Sequence, residues 1–234
     1  MKIVVCGDWH LDWMTAGVER FDEVAAAVNQ AINYAAQHAD LFVFLGDLCD
    51  PESPRAWRAC AFALERATAL SIPSVWIPGN HDVVDDGHGT TTLSPLAAIE
   101  DDRIQVAEAP VVLTFGEVQV LCFPYVSRAN LYDPEDVVRK MPATGGPVVM
   151  LSHLCLESAG QGSESAEMAR GREMFLPAKA LVERDLNVAV VLNGHYHQRQ
   201  EVVEHGLKVQ CAGSLAKLTR GERHNAPAFL VVEV

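Results

Sequence analysis

The sequence predicts an α/β fold in a single domain over residues 1–234, with a βαβαβ first half and a second half richer in strands and partly antiparallel. Three observations carry that expectation. Short apolar runs recur along the chain, and several are continuous rather than alternating, as in strands covered on both faces. Between the early runs, apolar residues repeat about every 3.6 positions, as in helices that lie on a sheet. No Pro/Gly/Ser-rich linker and no internal repeat divides the 234 residues, a length that suits one full-sized domain.

The first strand run, residues 3–6, precedes a helical pattern in which Phe21, Val24, Ala25, Val28, Ala31, Ile32 and Ala35 share one face. A second run at 41–45 leads to Ser53-Pro54, which reads as a helix N-cap and first helical position. In that second helix Trp57, Cys60, Ala61 and Leu64 are expected to form the buried stripe. Further strand runs follow at 74–77, 118–123, 148–151, 188–192, 209–211 and 229–232. The polar stretch 157–173 is expected to be a surface loop.

Apolar residues make up 49% and charged residues 21%, which excludes a disordered or collagen-like chain. Lys and Arg number 18 against 31 Asp and Glu, a formal charge of −13. Such a chain lacks the general positive field that holds nucleic acid or an anionic membrane. After Met1 the chain turns polar within a few residues, and no run approaches the roughly 20 needed to span a bilayer. A cytoplasmic protein without membrane association is therefore expected. The six cysteines are scattered with no C-x-x-C pair, a pattern of reduced thiols rather than a zinc finger.

The chemistry sits where the strand runs end. Asp8 and His10 follow the first run, Gly46-Asp47 the second, and Gly79-Asn80-His81-Asp82 the third. His153 follows the run at 148–151, and Gly194-His195-Tyr196-His197 the run at 188–192. In open α/β sheets ligands bind beyond the carboxyl ends of the strands, so five such tips on neighbouring parallel strands would converge on one pocket. Carboxylate and amide oxygens with imidazole nitrogens suit divalent metals, and the motifs contain no thiolate. Asp8 with His10, and His195 with His197, each sit two residues apart, on one side of an extended segment.

In this order, D-x-H, G-D, G-N-H-[DE], H and G-H-x-H, the motifs resemble those of the calcineurin-like metallophosphoesterase superfamily, from residue 8 to residue 197. The resemblance implies two facing mixed β-sheets flanked by helices, a four-layer α-β-β-α arrangement. It implies two divalent metal ions, Mn(II) first, with Fe, Zn, Co or Ni as alternatives. One would be held by Asp8, His10, Asp47 and His197, the other by Asp47, Asn80, His153 and His195, with Asp47 bridging. His81 would face the leaving group or the scissile phosphate. Asp50 matches the position that orients this histidine, with a solvated turn carboxylate as the alternative, and Asp82 could fix the local turn through backbone hydrogen bonds.

Finer features are similar to the SbcD-type DNA repair nucleases: Gly46-Asp47-Leu48-Cys49-Asp50, Phe123-Pro124-Tyr125, and Gly194-His195-Tyr196-His197-Gln198 followed by Ala212-Gly213-Ser214-Leu215. The implied activity is two-metal hydrolysis of phosphate esters, first as a phosphodiesterase or nuclease acting on DNA ends. The alternative is a phosphodiesterase or phosphatase for a small molecule such as a cyclic nucleotide, and a non-catalytic scaffold is a third reading. No separate DNA-binding capping domain is expected after the run at 229–232, which leaves docking to an SbcC-like ATPase as the weakest part of the resemblance. Arg170 and Arg172 are candidate substrate-phosphate contacts, Lys217, Arg220 and Arg223 form the densest basic patch, and His88 is a candidate for the pocket lining.

Overall fold

The computed structural model describes residues 1–84, 88–127, 130–141, 145–158 and 174–234. In chain order the first half contains β1 (Lys2–Cys6), β2 (Met14–Thr15), β3 (Val18–Glu19), α1 (Phe21–His38), β4 (Leu41–Phe44), α2 (Ala56–Ala69), β5 (Ser74–Trp76), α3 (Ser94–Ala97) and β6 (Ile104–Val106). The second half adds β7 (Val111–Phe115), β8 (Val118–Phe123), α4 (Pro134–Lys140), β9 (Val148–Ser152), α5 (Ala178–Glu183), β10 (Val188–Asn193), β11 (Gln200–Glu204), β12 (Leu207–Cys211) and β13 (Leu230–Glu233).

Two sheets result, in the orders β13-β1-β4-β5-β6 and β11-β12-β10-β9-β8-β7. In the first, β1, β4, β5 and β6 run parallel and β13 pairs antiparallel with β1. In the second, β8, β9, β10 and β12 run parallel, with β7 and β11 antiparallel at the edges.

Alternate residues of a strand point to opposite faces, and the three apolar clusters follow that rule. Val5, Val43 and Val75 of the first sheet share one core with Val120, Val149 and Leu192 of the second, so the sheets face each other. The opposite face of the first sheet, with Phe42, Phe44 and Trp76, packs with α1 and α2. The opposite face of the second, with Leu121, Met150 and Val191, packs with α4 and α5. The architecture is the four-layer α-β-β-α arrangement.

All eight expected strand runs form strands. The additional strands are short or polar: the β2–β3 hairpin, the three-residue β6, and the half-exposed edges β7 and β11. The second helix differs from expectation in start and in phase. Ser53 Oγ accepts a hydrogen bond from the Arg55 N–H at 3.3 Å, and the helix begins at Ala56. Its buried face is Ala59, Ala63 and Ala67, whereas Trp57 is 73% exposed. The reason is volume. Trp9 meets Phe44 and Trp76 edge-on, and Phe44 and Trp76 are tilted to each other, beneath this layer with centroids 4.5–5.7 Å apart; alanines fit over rings that already fill the space. No described helix is long and apolar enough to cross a membrane.

Leu151, fully buried between the sheets, and Trp57 give opposite expectations. Leu151→Ala should cost about 2–5 kcal/mol, and Trp57→Ala should stay within about 0.5 kcal/mol, both measured by urea unfolding. Equal losses would contradict this assignment of the α2 face.

Candidate metal centre

The parallel strands β1, β4 and β5 of one sheet and β9 and β10 of the other end at a common edge. Direct contacts tie these ends together. The Asp8 N–H donates to Gly46 O at 2.8 Å, and the His195 N–H donates across the sheets to Asp8 Oδ1 at 3.1 Å. His153 Nδ1 lies 2.5 Å from Leu45 O, also across the sheets.

Two donor groups form there. Asp8, His10, Asp47 and His197 each offer an atom within 4.8 Å of the others, with His10 Nε2 3.0 Å from His197 Nε2. In the second group Asn80 Oδ1 lies 3.0 Å from both His153 Nε2 and His195 Nδ1. Asp47 Oδ2 belongs to both, 3.5 Å from His10 Nε2 and 3.4 Å from His153 Nε2. Three of the imidazoles are held from behind. His153 meets Leu45 O, His197 Nδ1 lies 3.1 Å from Glu222 Oε1, and His195 Nε2 lies 3.5 Å from Cys155 Sγ. Such partners orient a ring and direct its other nitrogen into the site.

The donors fit a pair of divalent cations on two further counts. Asp8 Oδ2 is buried and has no hydrogen-bond partner among the described residues, a costly arrangement that a bound cation would relieve. Asp8, His10, Asp47 and His195 all adopt left-handed backbone, with φ of 50°, 43°, 61° and 72°. Each such residue costs on the order of 1–3 kcal/mol, and strain of this kind gathers at functional sites.

Burial dominates the electrostatics. It pushes Asp8 up to about 6, His10 down to about 3 and His195 down to about 4. Burial also opposes a charge on His153, but the Asp47 carboxylate outweighs it and holds the imidazole up to about 9. Asp47 in turn stays well below the usual carboxylate range, despite its burial, through His153 and His10.

Asp82, fully buried, locks the site's backbone. Its Oδ2 accepts from the N–H groups of Asp47 and Gly79, at 2.7 and 2.8 Å. Its Oδ1 accepts from the Leu48 N–H at 2.8 Å and from the Thr92 hydroxyl at 2.5 Å. Gly79 permits the close approach, since a Cβ there would lie 2.6 Å from His153 Cε1.

His81 is exposed. Its N–H donates to Asp47 Oδ1 at 2.9 Å, and its ring stands edge-on to His10, centroids 5.1 Å apart. Asp50, expected to orient it, is also exposed, and its Oδ1 accepts from the Glu52 N–H at 2.9 Å. Among the described residues it makes no hydrogen bond to His81, so the turn-carboxylate alternative fits better. Arg170 and Arg172 lie outside the described residues. His88 lines a neighbouring cavity rather than the metal cluster. Sequence reasoning missed Glu222, which lies within the basic patch; no spacing signal links it to His197.

A four-layer α-β-β-α fold carrying this donor cluster at the common edge of its sheets places the molecule among the metal-dependent phosphoesterases. The chain belongs to the calcineurin-like phosphoesterase family, whose model matches residues 1–199. It is 24% identical over 220 residues to a cAMP/cGMP dual specificity phosphodiesterase of Mycobacterium tuberculosis, covering 88% of this chain and 65% of that protein. It is 25% identical over 172 residues to a 3′,5′-cyclic-nucleotide phosphodiesterase of a Nostoc species, covering 74% and 61%. The chain thus spans slightly under two thirds of the length of these relatives. The phosphopantetheinyl hydrolase structure from Mycobacterium tuberculosis shares the fold at a TM-score of 0.55 and 13% identity, covering 99% of this chain and 95% of that one. These sequence relatives are cyclic-nucleotide phosphodiesterases, so the finer likeness to SbcD-type nucleases finds no support in them.

Two outcomes follow. Glu222→Ala should lower metal affinity about 10–100-fold with the far-UV spectrum unchanged, as read by calorimetric titration of the metal-depleted protein. Unchanged affinity would show that Glu222 does not orient His197. Metal affinity should also weaken as pH falls, because a cation must displace the proton that His153 holds up to about 9, and near the acid end that of Asp8. A flat affinity profile from about pH 8 to about pH 6 would contradict this.

Proposed function

We propose that this chain is a two-metal phosphodiesterase for small phosphodiesters, with 3′,5′-cyclic nucleotides as the substrate class. The observation that carries the reading is Asp47 Oδ2, shared between two donor groups at 3.5 and 3.4 Å. The charge of −13 and the substrates named for both relatives favour a small substrate over a long duplex. The exposed Lys217, Arg220 and Arg223 are a basic patch of the kind that favours DNA, and Lys217 Nζ already donates to Arg223 O at 2.9 Å.

Asp8, His10, Asp47 and His197 would hold one ion; Asp47, Asn80, His153 and His195 would hold the other. Bound divalent ions supply Lewis-acid polarisation of phosphoryl oxygens and lower the pKa of water toward 7. The chain's own part is orientation and protonation. Burial of Asp8, His10, Asp47 and His153 keeps bulk water from competing for their donor atoms. Hydrolysis adds water across one P–O ester bond, and the departing oxygen takes up a proton. His81, exposed at the rim and tethered through its N–H to Asp47, is placed to donate that proton or to stabilise the developing charge.

His81→Asn should retain both metal equivalents and lose about 100-fold or more in kcat, assayed with manganese on cyclic nucleotides, bis(4-nitrophenyl) phosphate, and single- and double-stranded DNA. Parent-like turnover in the variant would remove His81 from the chemistry. Cleavage of DNA without cyclic nucleotides would replace the small-substrate reading, and two bound ions with no turnover on any substrate would favour a scaffold.

A further inference from the structure

Beside the metal cluster lies a cavity of about 770 Å³, formed by the segment after His81, the β6–β7 connection and the segment after β8. Small-molecule sites span about 300–1,000 Å³, mostly apolar with a few placed polar groups. Here Val83, Val106, Ala107 and Val111 supply apolar surface, Tyr125 and Tyr132 supply aromatic rings, and Glu108, Ser127 and Asn130 supply polar groups.

The cavity adjoins the phosphate-handling edge. Val83 directly follows the Asn80–Asp82 turn, two residues beyond His81, a Cα separation of at most about 7 Å. On the other side the Tyr125 N–H donates to Pro78 O at 3.1 Å, and the His153 N–H donates to Phe123 O at 3.3 Å. One wall of the cavity is therefore continuous with the loops that carry His81 and His153.

Its polar groups are prepared for a ligand. Glu108 Oε1 accepts from the hydroxyls of Thr91 and Ser94, at 2.9 and 2.6 Å, which fixes the carboxylate. Its Oε2 makes no hydrogen bond among the described residues. Ser127 is 4% exposed, and its Oγ has no hydrogen-bond partner among the described residues, an unusual state for a buried hydroxyl that a ligand would satisfy. The Tyr132 hydroxyl donates to Pro124 O at 2.7 Å and holds that ring in place. A fixed carboxylate disfavours a phosphate and accepts N–H donors. The neutral, amino-bearing half of a substrate matches these groups.

We propose that this cavity is the nucleoside subsite: the base packs with Tyr125 and Tyr132, and its amino group donates to Glu108 Oε2. Ser127 Oγ bonds a polar atom of the same nucleoside, while the phosphodiester lies at the metal donors. The assignment rests on the phosphodiesterase reading above, and its test separates the two. Two variants probe it: Glu108→Gln, which keeps an acceptor for Thr91 and Ser94, and Ala109→Trp, which fills the cavity from an exposed position. Glu108→Gln should raise KM for 3′,5′-cyclic AMP about tenfold, the worth of one hydrogen bond to a charged group, and Ala109→Trp, which fills the site, should raise it at least as much. Each should leave kcat/KM for bis(4-nitrophenyl) phosphate within about twofold. Independently of turnover, adenosine should bind the metal-depleted parent in an NMR titration, and Ala109→Trp should abolish that binding. Unchanged KM for cyclic AMP in both variants, an equal loss on both substrates, or no adenosine binding would overturn the subsite. Failure of the parent to hydrolyse either diester with metals bound would instead overturn the phosphodiesterase reading, and adenosine binding would still decide the cavity.

Discussion

The carboxylate of Asp82 is the interaction on which the metal centre depends. It is fully buried and accepts four hydrogen bonds from three segments: the turn at Asp47 and Leu48, the turn at Gly79, and Thr92 ahead of α3. Three of the donors are backbone N–H groups with nowhere else to turn in a buried site, so each bond carries the full cost of leaving a donor unpaired. The result is an Asp47 held at a left-handed φ of 61°, with Oδ1 on the His81 N–H and Oδ2 between His10 and His153. A carboxylate that touches no candidate metal position therefore decides where the shared ligand points.

The sheets supply the rigidity that such strain requires. Parallel strands place their carboxyl ends side by side, and a dry core between the sheets, with Val5, Val43, Val149 and Leu192, holds the two sets of ends together. Contacts that cross from one sheet to the other then set the site directly, as with His195 N–H on Asp8 and His153 on Leu45 O. The same device reconciles an acidic chain with an anionic substrate. Two divalent cations would overcompensate the two carboxylates at the centre of a chain whose formal charge is −13.

The strands were legible because continuous Val, Ile, Leu and Phe runs have no better place than the middle of a covered sheet. Helix α1 was legible because six of its seven expected face residues are buried. Helix α2 was misread because its phase depends on the volume left by Trp9, Phe44 and Trp76, which no residue within the helix encodes. The edges β7 and β11 escaped notice because a half-exposed strand is recognisable only beside the partner that pairs with it. Asp50 looked like an orienting group by position, yet a turn carboxylate satisfies its nearest N–H first.

By itself the sequence determined the layered α/β class, the strand-end placement of Asp8, His10, Asp47, Asn80, His153, His195 and His197, and the chemistry those side chains share. These are local properties: apolar periodicity, and residue type at the end of a run. Only the tertiary structure decided that Asp82 ties three separate segments together, that Glu222 stands behind His197, and that a tyrosine-lined cavity opens next to His81. Those facts, like the contact of His195 with Asp8, 187 residues apart, are distances between separate segments. Packing of the two sheets creates them, and no local pattern carries them.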